Sequence, residues 1–128
     1  MVPMVVIMAA IFFLSHQPAD DLYIPLIPGA DKVAHVVMYG VLAASVLYAF
    51  NARRLKDEGI VLAAFLTVNI CILYGIGDEF HQSFIPGRFS SFADVAADAA
   101  GAAMVCVAWL LWKRRAGQAD RPPMENRK

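Results

Sequence analysis

Four long apolar segments divide the chain, and almost no charge interrupts the middle of any of them. They cover residues 2–15, 33–50, 60–77 and 92–112. An α-helix rises about 1.5 Å per residue, so a segment of about 18 residues spans roughly 27 Å, close to the hydrocarbon thickness of a bilayer. The pattern therefore predicts an all-α fold, a transmembrane bundle of about four helices. The first segment lacks the features of a cleavable signal peptide, so it is interpreted as a retained helix.

The composition agrees with a membrane protein. Of the 128 residues, 59% are hydrophobic and only 17% are charged, whereas a soluble domain carries about 25% charged residues. Residues 1–116 are predicted to form a single transmembrane domain, and residues 117–128 a polar, disordered cytoplasmic tail. The sequence contains no nucleic-acid-binding patch, so the expected partner is the lipid bilayer.

The basic residues are distributed unevenly along the chain. Nine of the eleven follow the second or the fourth apolar segment, whereas the loops at the other end hold only Lys32 and Arg88. Because cytoplasmic loops carry an excess of Lys and Arg, both termini are predicted to be cytoplasmic. The end of the bundle that holds the other two loops is rich in Asp and Glu. It is called the acidic end here, and it is predicted to face outward.

Polar side chains gather at the acidic end, on three of the four predicted helices and on the turn between the last two. In chain order they are Asp31, Lys32, His35, Tyr39, Asp78, Glu79, His81, Gln82, Arg88, Asp94 and Asp98. Residues four apart share a helix face, so His35 and Tyr39 face one way on the second helix. Asp78 and Gln82 do the same on the third helix, while Glu79 points elsewhere. A bundle of four short helices is expected to bring these groups together at one membrane depth.

Two helix starts can be predicted from local patterns. Asp31 stands where the N-cap of the second helix belongs. Ser91 and Asp94 have the spacing of a capping box at the start of the fourth helix. Asp94 and Asp98 then lie on one stripe of that helix with Gly101. These patterns give Asp31 and Asp94 a structural interpretation beside any functional one.

Two carboxylates and two histidines are the candidates for catalysis. Charge inside a membrane costs about 2.5–3.5 kcal/mol per residue on insertion scales, so Asp78 and Glu79 call for an explanation. Together with His81 and His35 they could supply acid–base groups, since histidine titrates near neutral pH. Asp78, Glu79 and His81 could instead hold a divalent cation, Mg²⁺ or Ca²⁺ by their oxygens or Zn²⁺ through the histidine. The alternative for His35 and Tyr39 is an interhelical hydrogen bond.

Arg88 and Lys32 are the candidates for binding an anion. The planar guanidinium of Arg88 suits phosphate or carboxylate, and the residue lies on a predicted turn near the lipid headgroups. Further candidates for ligand contact are Asp31, Tyr39, Gln82, Asp94 and Asp98. In the structural alternative, Arg88 forms an ion pair with Asp94 or Glu79, and Asp78 or Glu79 pairs with Arg88 or Lys32.

The same residues resemble the signature of a known family. Four runs carry the likeness: Ser15-x-Gln17-Pro18, Asp31-Lys32-x-x-His35-x-x-x-Tyr39, Asp78-Glu79-x-x-Gln82-x-x-x-Pro86-Gly87-Arg88 and Ser91-x-x-Asp94. Together they resemble the VanZ-like family of small bacterial membrane proteins. The chain departs from that family at Asp98, where members often carry Asn.

The resemblance implies a multi-pass protein of the bacterial cytoplasmic membrane, linked through the founding member of the family to resistance to teicoplanin. The leading hypothesis is a cell-envelope protein whose outward-facing site recognises an anionic lipid or a lipid-linked envelope precursor. As an enzyme, it would use a carboxylate or His35 as general base on such a substrate. The alternative is a non-catalytic scaffold or accessory subunit whose polar cluster is structural.

Overall fold

The computed structural model describes residues 1–18, 29–50, 55 and 57–119, without the side chains of residues 57, 58 and 117–119. These residues form four α-helices and no strand, namely α1 (Val2–Ser15), α2 (Ala30–Ala49), α3 (Asp57–Gln82) and α4 (Phe92–Ala119). The predicted all-α fold is confirmed. In length and composition α2, α3 and α4 can each cross a membrane, whereas α1 has only 14 residues. A helix of that length rises about 21 Å, less than the roughly 30 Å of hydrocarbon.

Two predictions fall partly outside the described residues. Helix α4 continues to Ala119, so residues 117–119 of the predicted tail are helical, and residues 120–128 lie outside the description. The basic residues 53, 54 and 56 and most of the first acidic loop also lie outside it. The orientation of the termini therefore stays a prediction.

Large apolar side chains cover the outside of the bundle along its whole length. Phe65, Leu73 and Val107 are 63%, 70% and 54% exposed. In water a surface of this kind would favour aggregation, whereas lipid tails solvate it. The protein is therefore a multi-pass membrane protein.

Helix α2 begins with a glycine and not with the predicted aspartate. Gly29 is the N-cap, with φ of 85°, a left-handed conformation that glycine adopts without a steric penalty from Cβ. Asp31 lies inside the first turn and forms a salt bridge of 2.9 Å with Lys32. The prediction that Asp31 is the N-cap is wrong. Its negative charge instead complements the positive end of the helix dipole.

Helix α4 is capped by Ser91, with a carboxylate supplied by another helix. Ser91 Oγ accepts a hydrogen bond from the Ala93 N–H at 3.1 Å. The Ser91 N–H donates to Glu79 Oε2 at 2.8 Å, which is the bond that the acidic member of a capping box would accept. Asp94 faces Lys32 on α2 instead, with 3.1 Å between the charged atoms. The capping-box prediction for Asp94 is wrong because Glu79 of α3 occupies that role.

Helices α2 and α4 approach each other backbone to backbone. A Cβ atom added at Gly101 of α4 would collide with the backbone carbonyl of Val36 on α2. A Cβ added at Gly40 of α2 would lie 3.5 Å from the side chain of Val105 and 3.7 Å from the carbonyl oxygen of Gly101. Small residues permit this kind of close contact between membrane helices. The contact aligns the acidic ends of the two helices.

Candidate functional site

Polar side chains from all four helices meet at the acidic end in two adjoining groups. The Asp78 cluster consists of Ser15, Asp78 and Gln82. The His35 cluster consists of Lys32, His35, Glu79, Asp94 and Asp98. Although adjacent in sequence, Asp78 and Glu79 belong to different clusters, because successive residues of a helix point about 100° apart.

The Asp78 cluster joins α1 to α3 through a closed set of hydrogen bonds. Ser15 Oγ donates to Asp78 Oδ2 at 2.7 Å, and Gln82 Nε2 donates to the same oxygen at 3.0 Å. Gln82 Nε2 also lies 3.3 Å from Ser15 Oγ. All three residues are buried. The second carboxylate oxygen of Asp78, Oδ1, is buried without a hydrogen-bond partner among the described residues.

The His35 cluster is centred on a hydrogen bond between α2 and α4. His35 Nδ1 lies 2.8 Å from Asp98 Oδ1, and because a carboxylate only accepts, the proton belongs to the imidazole nitrogen. This contact is the interhelical hydrogen bond that the structural interpretation predicted for His35. Asp98 is 0% exposed, and its carboxylate fits there because position 75 is glycine. A Cβ atom at Gly75 would lie 2.5 Å from Asp98 Oδ2.

The other imidazole nitrogen of His35 faces two further carboxylates. His35 Nε2 lies 3.9 Å from Glu79 Oε1, which exceeds a hydrogen-bond distance. Asp94 completes a group in which one donor atom from each of the three residues lies within 4.8 Å of the others. Among the described residues this is the one group of three His, Cys, Asp or Glu side chains with metal-binding spacing. The predicted trio of Asp78, Glu79 and His81 is not brought together.

His81 contacts a residue that sequence reasoning missed. Its Nε2 lies 3.1 Å from Nδ1 of His16, just after α1, and the two rings stack with centroids 5.3 Å apart. Phe12 packs against His81 at 4.6 Å between centroids. Ser15 of the Asp78 cluster was also missed as a site residue, although it begins one of the family-like runs. The resemblance to the family could therefore have identified Ser15 as a site residue, whereas no sequence pattern indicated His16.

Arg88 binds the carboxyl end of α1. Its Nε donates to the carbonyl oxygen of Gln17 at 3.1 Å, and its Nη2 to that of Leu14 at 3.0 Å. A cation at this position complements the negative end of the helix dipole, and it gives two carbonyl oxygens at and just beyond that end a charged donor. In the described part of the chain no ion pair links Arg88 to Asp94 or Glu79, so that structural alternative is wrong. Lys32 pairs with Asp31 and Asp94, and not with Asp78 or Glu79.

A cavity of about 180 Å³ lies between α1, α2 and α3 at the acidic end. Its lining residues are Ile11, Leu14, Ser15, Asp31, Ala34, His35, Met38, Tyr39, Asp78, Gln82 and Arg88. The Tyr39 ring stacks on His35 with centroids 6.3 Å apart, and its buried hydroxyl has no hydrogen-bond partner among the described residues. The cavity therefore combines apolar side chains with a cation, carboxylates and hydrogen-bonding groups.

The chain was compared with models of known protein families, with curated proteins and with solved structures. A sequence model of the family described as VanZ/LLP1 matches residues 1–113, a span that includes both clusters and every residue that lines the cavity. No curated protein and no solved structure matches the chain significantly.

Proposed function

The chain belongs to the VanZ/LLP1 family, and on that premise we propose that it is a cell-envelope protein of the bacterial cytoplasmic membrane whose acidic end faces outward. We propose that the cavity at this end binds the headgroup of an anionic lipid or of a lipid-linked envelope precursor. The observation that carries this proposal is the lining of the cavity, where Arg88 lies beside unsatisfied polar atoms and apolar side chains.

The size of the cavity limits what enters it. At about 180 Å³ it is smaller than the roughly 300–1,000 Å³ of sites for drug-sized ligands, so a headgroup fits and a whole lipid does not. The hydrocarbon chain of such a ligand would remain in the bilayer, against the apolar outer surface of α1 and α2. That surface includes Phe13 of α1 and Val37 of α2, which are 65% and 55% exposed.

The polar lining fits a phosphate that carries further hydrogen-bonding groups. The two carbonyls that Arg88 contacts engage two of the five guanidinium N–H donors, which leaves three for a phosphate oxygen. Asp78 Oδ1 and the Tyr39 hydroxyl are buried without partners, and the carboxylate can accept a hydrogen bond from a ligand hydroxyl or amine. In an enzymatic version, His35 or Asp78 would transfer protons at this headgroup, and Glu79 would act through His35, whose Nε2 lies 3.9 Å from Glu79 Oε1.

Native mass spectrometry of the purified protein tests the proposal. Wild type is expected to carry a co-purifying anionic lipid, and Arg88→Ala to lose it. Arg114→Ala is the matched control, because it removes the same charge near the opposite end of the bundle, and it is expected to keep the adduct. Equal occupancy in all three proteins, or bare protein in all three, would contradict an Arg88-dependent ligand site.

A second candidate function is a non-catalytic scaffold or accessory subunit. It is favoured by one specific observation, the use of Arg88 and Lys32 in contacts within the protein itself. In that case Asp78→Asn is expected to lower the thermal stability of the protein, and wild type is expected to turn over no lipid-linked substrate. As an enzyme, the protein should instead lose turnover of a lipid-linked substrate in Glu79→Gln while its fold stays intact.

The link of the family to teicoplanin extends the proposal to whole cells. A protein that binds a surface-exposed envelope component can alter how that component meets a glycopeptide antibiotic. Expression of wild type in a susceptible bacterium is expected to raise the minimum inhibitory concentration of teicoplanin. Arg88→Ala, expressed to the same level in the membrane, is expected to leave that concentration unchanged.

A further inference from the structure

We propose a divalent metal site formed by His35 Nε2, Glu79 Oε1 and a carboxylate oxygen of Asp94. Asp98 acts as a positioning residue that orients the imidazole. The ion is of the Zn²⁺ class, and the three ligands come from α2, α3 and α4. Glu79 and Asp94 do not line the cavity but His35 does, so the metal site adjoins the headgroup site proposed above and shares one residue with it.

The spacing of the donor atoms suits an ion between them better than direct contact. Glu79 Oε1 lies 3.9 Å from His35 Nε2, and one donor atom from each of His35, Glu79 and Asp94 lies within 4.8 Å of the other two. A direct hydrogen bond would need about 2.7–3.2 Å. A tetrahedral zinc ion with bonds of about 2.0–2.2 Å separates its ligand atoms by about 3.3–3.6 Å, so the donor atoms would have to move closer together by up to about 1.5 Å to complete the site.

The buried carboxylate of Glu79 is the second observation that points to a ligand. Glu79 is only 4% exposed, and its Oε1 has no hydrogen-bond partner among the described residues. Its other oxygen is held by the Ser91 N–H at 2.8 Å, so the carboxylate is fixed on one side. A buried anionic oxygen without a partner is costly, and a bound cation removes that cost.

Asp98 gives His35 the arrangement found around metal-binding histidines. Such a histidine usually donates its other ring N–H to a carboxylate, which fixes both the tautomer and the ring orientation. The bond of 2.8 Å between His35 Nδ1 and Asp98 Oδ1 is of this kind, and it leaves Nε2 as the ligand atom. Asp98 is fully buried, so the orientation it imposes is fixed by packing as well as by the bond.

The donor set and the local charge both favour a dication. One nitrogen and two carboxylate oxygens form a three-ligand set that leaves a coordination position open, as in catalytic zinc sites. Glu79, Asp94 and Asp98 bring three buried carboxylates around His35, while Lys32 reaches one oxygen of Asp94 at 3.1 Å. A dication offsets more of this negative charge than a protonated imidazole alone.

Metal analysis of the full chain in detergent micelles tests the site. The protein is stripped with a chelator, dialysed against ZnCl₂, desalted and assayed by inductively coupled plasma mass spectrometry. Wild type is expected to retain about one zinc ion per chain, and Glu79→Gln to bind it at least tenfold more weakly. His81→Gln is the matched control, because it removes a histidine of α3 that contacts His16 and leaves the three proposed ligands unchanged. This variant is expected to bind zinc as wild type does.

Two further measurements keep the test decisive. Zinc-edge X-ray absorption is expected to report a single imidazole with oxygen neighbours, and Asp98→Asn to weaken binding by roughly tenfold to a hundredfold with the same ligands retained. If Glu79→Gln does not fold by circular dichroism, Asp94→Asn replaces it. Zinc absent from folded wild type, or bound equally by the ligand variants, would overturn the proposal. Failure of the headgroup proposal is detected in a different experiment, the native mass spectrometry described above. There, the lipid adduct would be the same in wild type and in Arg88→Ala, whatever the zinc content.

Discussion

Helices α2 and α4 are joined in a different way from α1 and the rest of the bundle. Between α2 and α4 the backbones touch at Gly101 and Val36, and buried polar groups meet at His35 and Asp98. Helix α1 buries only Ile11 and Ser15. Other apolar side chains of α1 are only partly buried against the core, and hydrogen bonds from α3 and the turn that follows end on backbone carbonyls of α1 and of the residues just after it.

The difference follows from the bilayer as a solvent. Lipid tails are as apolar as the helices, so association depends on close packing and on hydrogen bonds between helices. The α2–α4 contact uses both at fully buried positions, whereas α1 combines hydrogen bonds with side chains that are mostly only partly buried. We therefore expect damage between α2 and α4 to unfold the whole bundle, and damage at the attachments of α1 to act locally. Four substitutions test this contrast, in order of decreasing expected effect.

The largest effect is expected from His35→Leu. It leaves Asp98 buried without a partner, and breaking a buried pair on one side costs about 3–5 kcal/mol of the free energy of unfolding. Thermal unfolding in detergent, followed by circular dichroism, measures the loss. His81→Leu removes a histidine of the α1–α3 contact and should cost far less, so equal losses in the two variants would refute the contrast.

Gly101→Ala is expected to cost almost as much. The new methyl group meets the backbone carbonyl of Val36, which cannot rotate away as a side chain would, so the helices must separate. Overpacking of this kind costs about 1–3 kcal/mol, and a backbone neighbour places this case near the upper end. Gly77→Ala is the control, since a Cβ there meets nothing within 4 Å. That variant should match wild type or exceed its unfolding temperature.

Arg88→Ala is expected to loosen α1 without unfolding the bundle. It removes two hydrogen bonds that are exposed or only partly buried, so each is expected to contribute about 0.5–1 kcal/mol. Hydrogen exchange of the α1 amides should accelerate, while exchange in α2 and α4 stays at the wild-type rate. Uniform acceleration in all four helices would mean that α1 is integral to the stability of the core. Arg114→Ala should alter neither.

The smallest effect is expected from Tyr74→Phe. The Tyr74 hydroxyl donates to the carbonyl oxygen of Met8 at 2.7 Å, and losing one such bond costs about 1 kcal/mol. The same hydrogen-exchange experiment should detect faster exchange near Met8 alone. Tyr48→Phe is the control, because the Tyr48 side chain is 69% exposed. A Tyr74→Phe variant with wild-type exchange would show that packing by Ile11 is enough to hold α1.

The fold could be predicted because helix length and apolar composition are local properties. The stripe of Asp94, Asp98 and Gly101 was also predictable from the helical repeat, and the structure places all three against α2. The helical repeat does not indicate which residues of a neighbouring helix such a stripe contacts. Asp98 was predicted as a candidate for ligand contact, and its role as the partner of His35 depends on the space left by Gly75.

Two of the wrong predictions concern helix starts at which more than one residue could supply the cap. Asp31 and Gly29 both suit the start of α2, and the chain uses the glycine. Asp94 has the spacing of a capping box, but Glu79 of the neighbouring helix accepts the hydrogen bond from Ser91. Asp94 pairs with Lys32 instead. In both cases a tertiary contact decides between equivalent local patterns, and a single sequence does not contain that information.

The contact at Gly101 also limits how the bundle can move. Sliding α4 by one residue along α2 means a shift of about 1.5 Å and a rotation of about 100°, which would replace the glycine by an alanine facing Val36. The two helices therefore behave as a single rigid body. In the described residues α1 contacts α2 and α3 but not α4. Displacement of α1 can therefore change the volume of the cavity without disturbing the contact between α2 and α4.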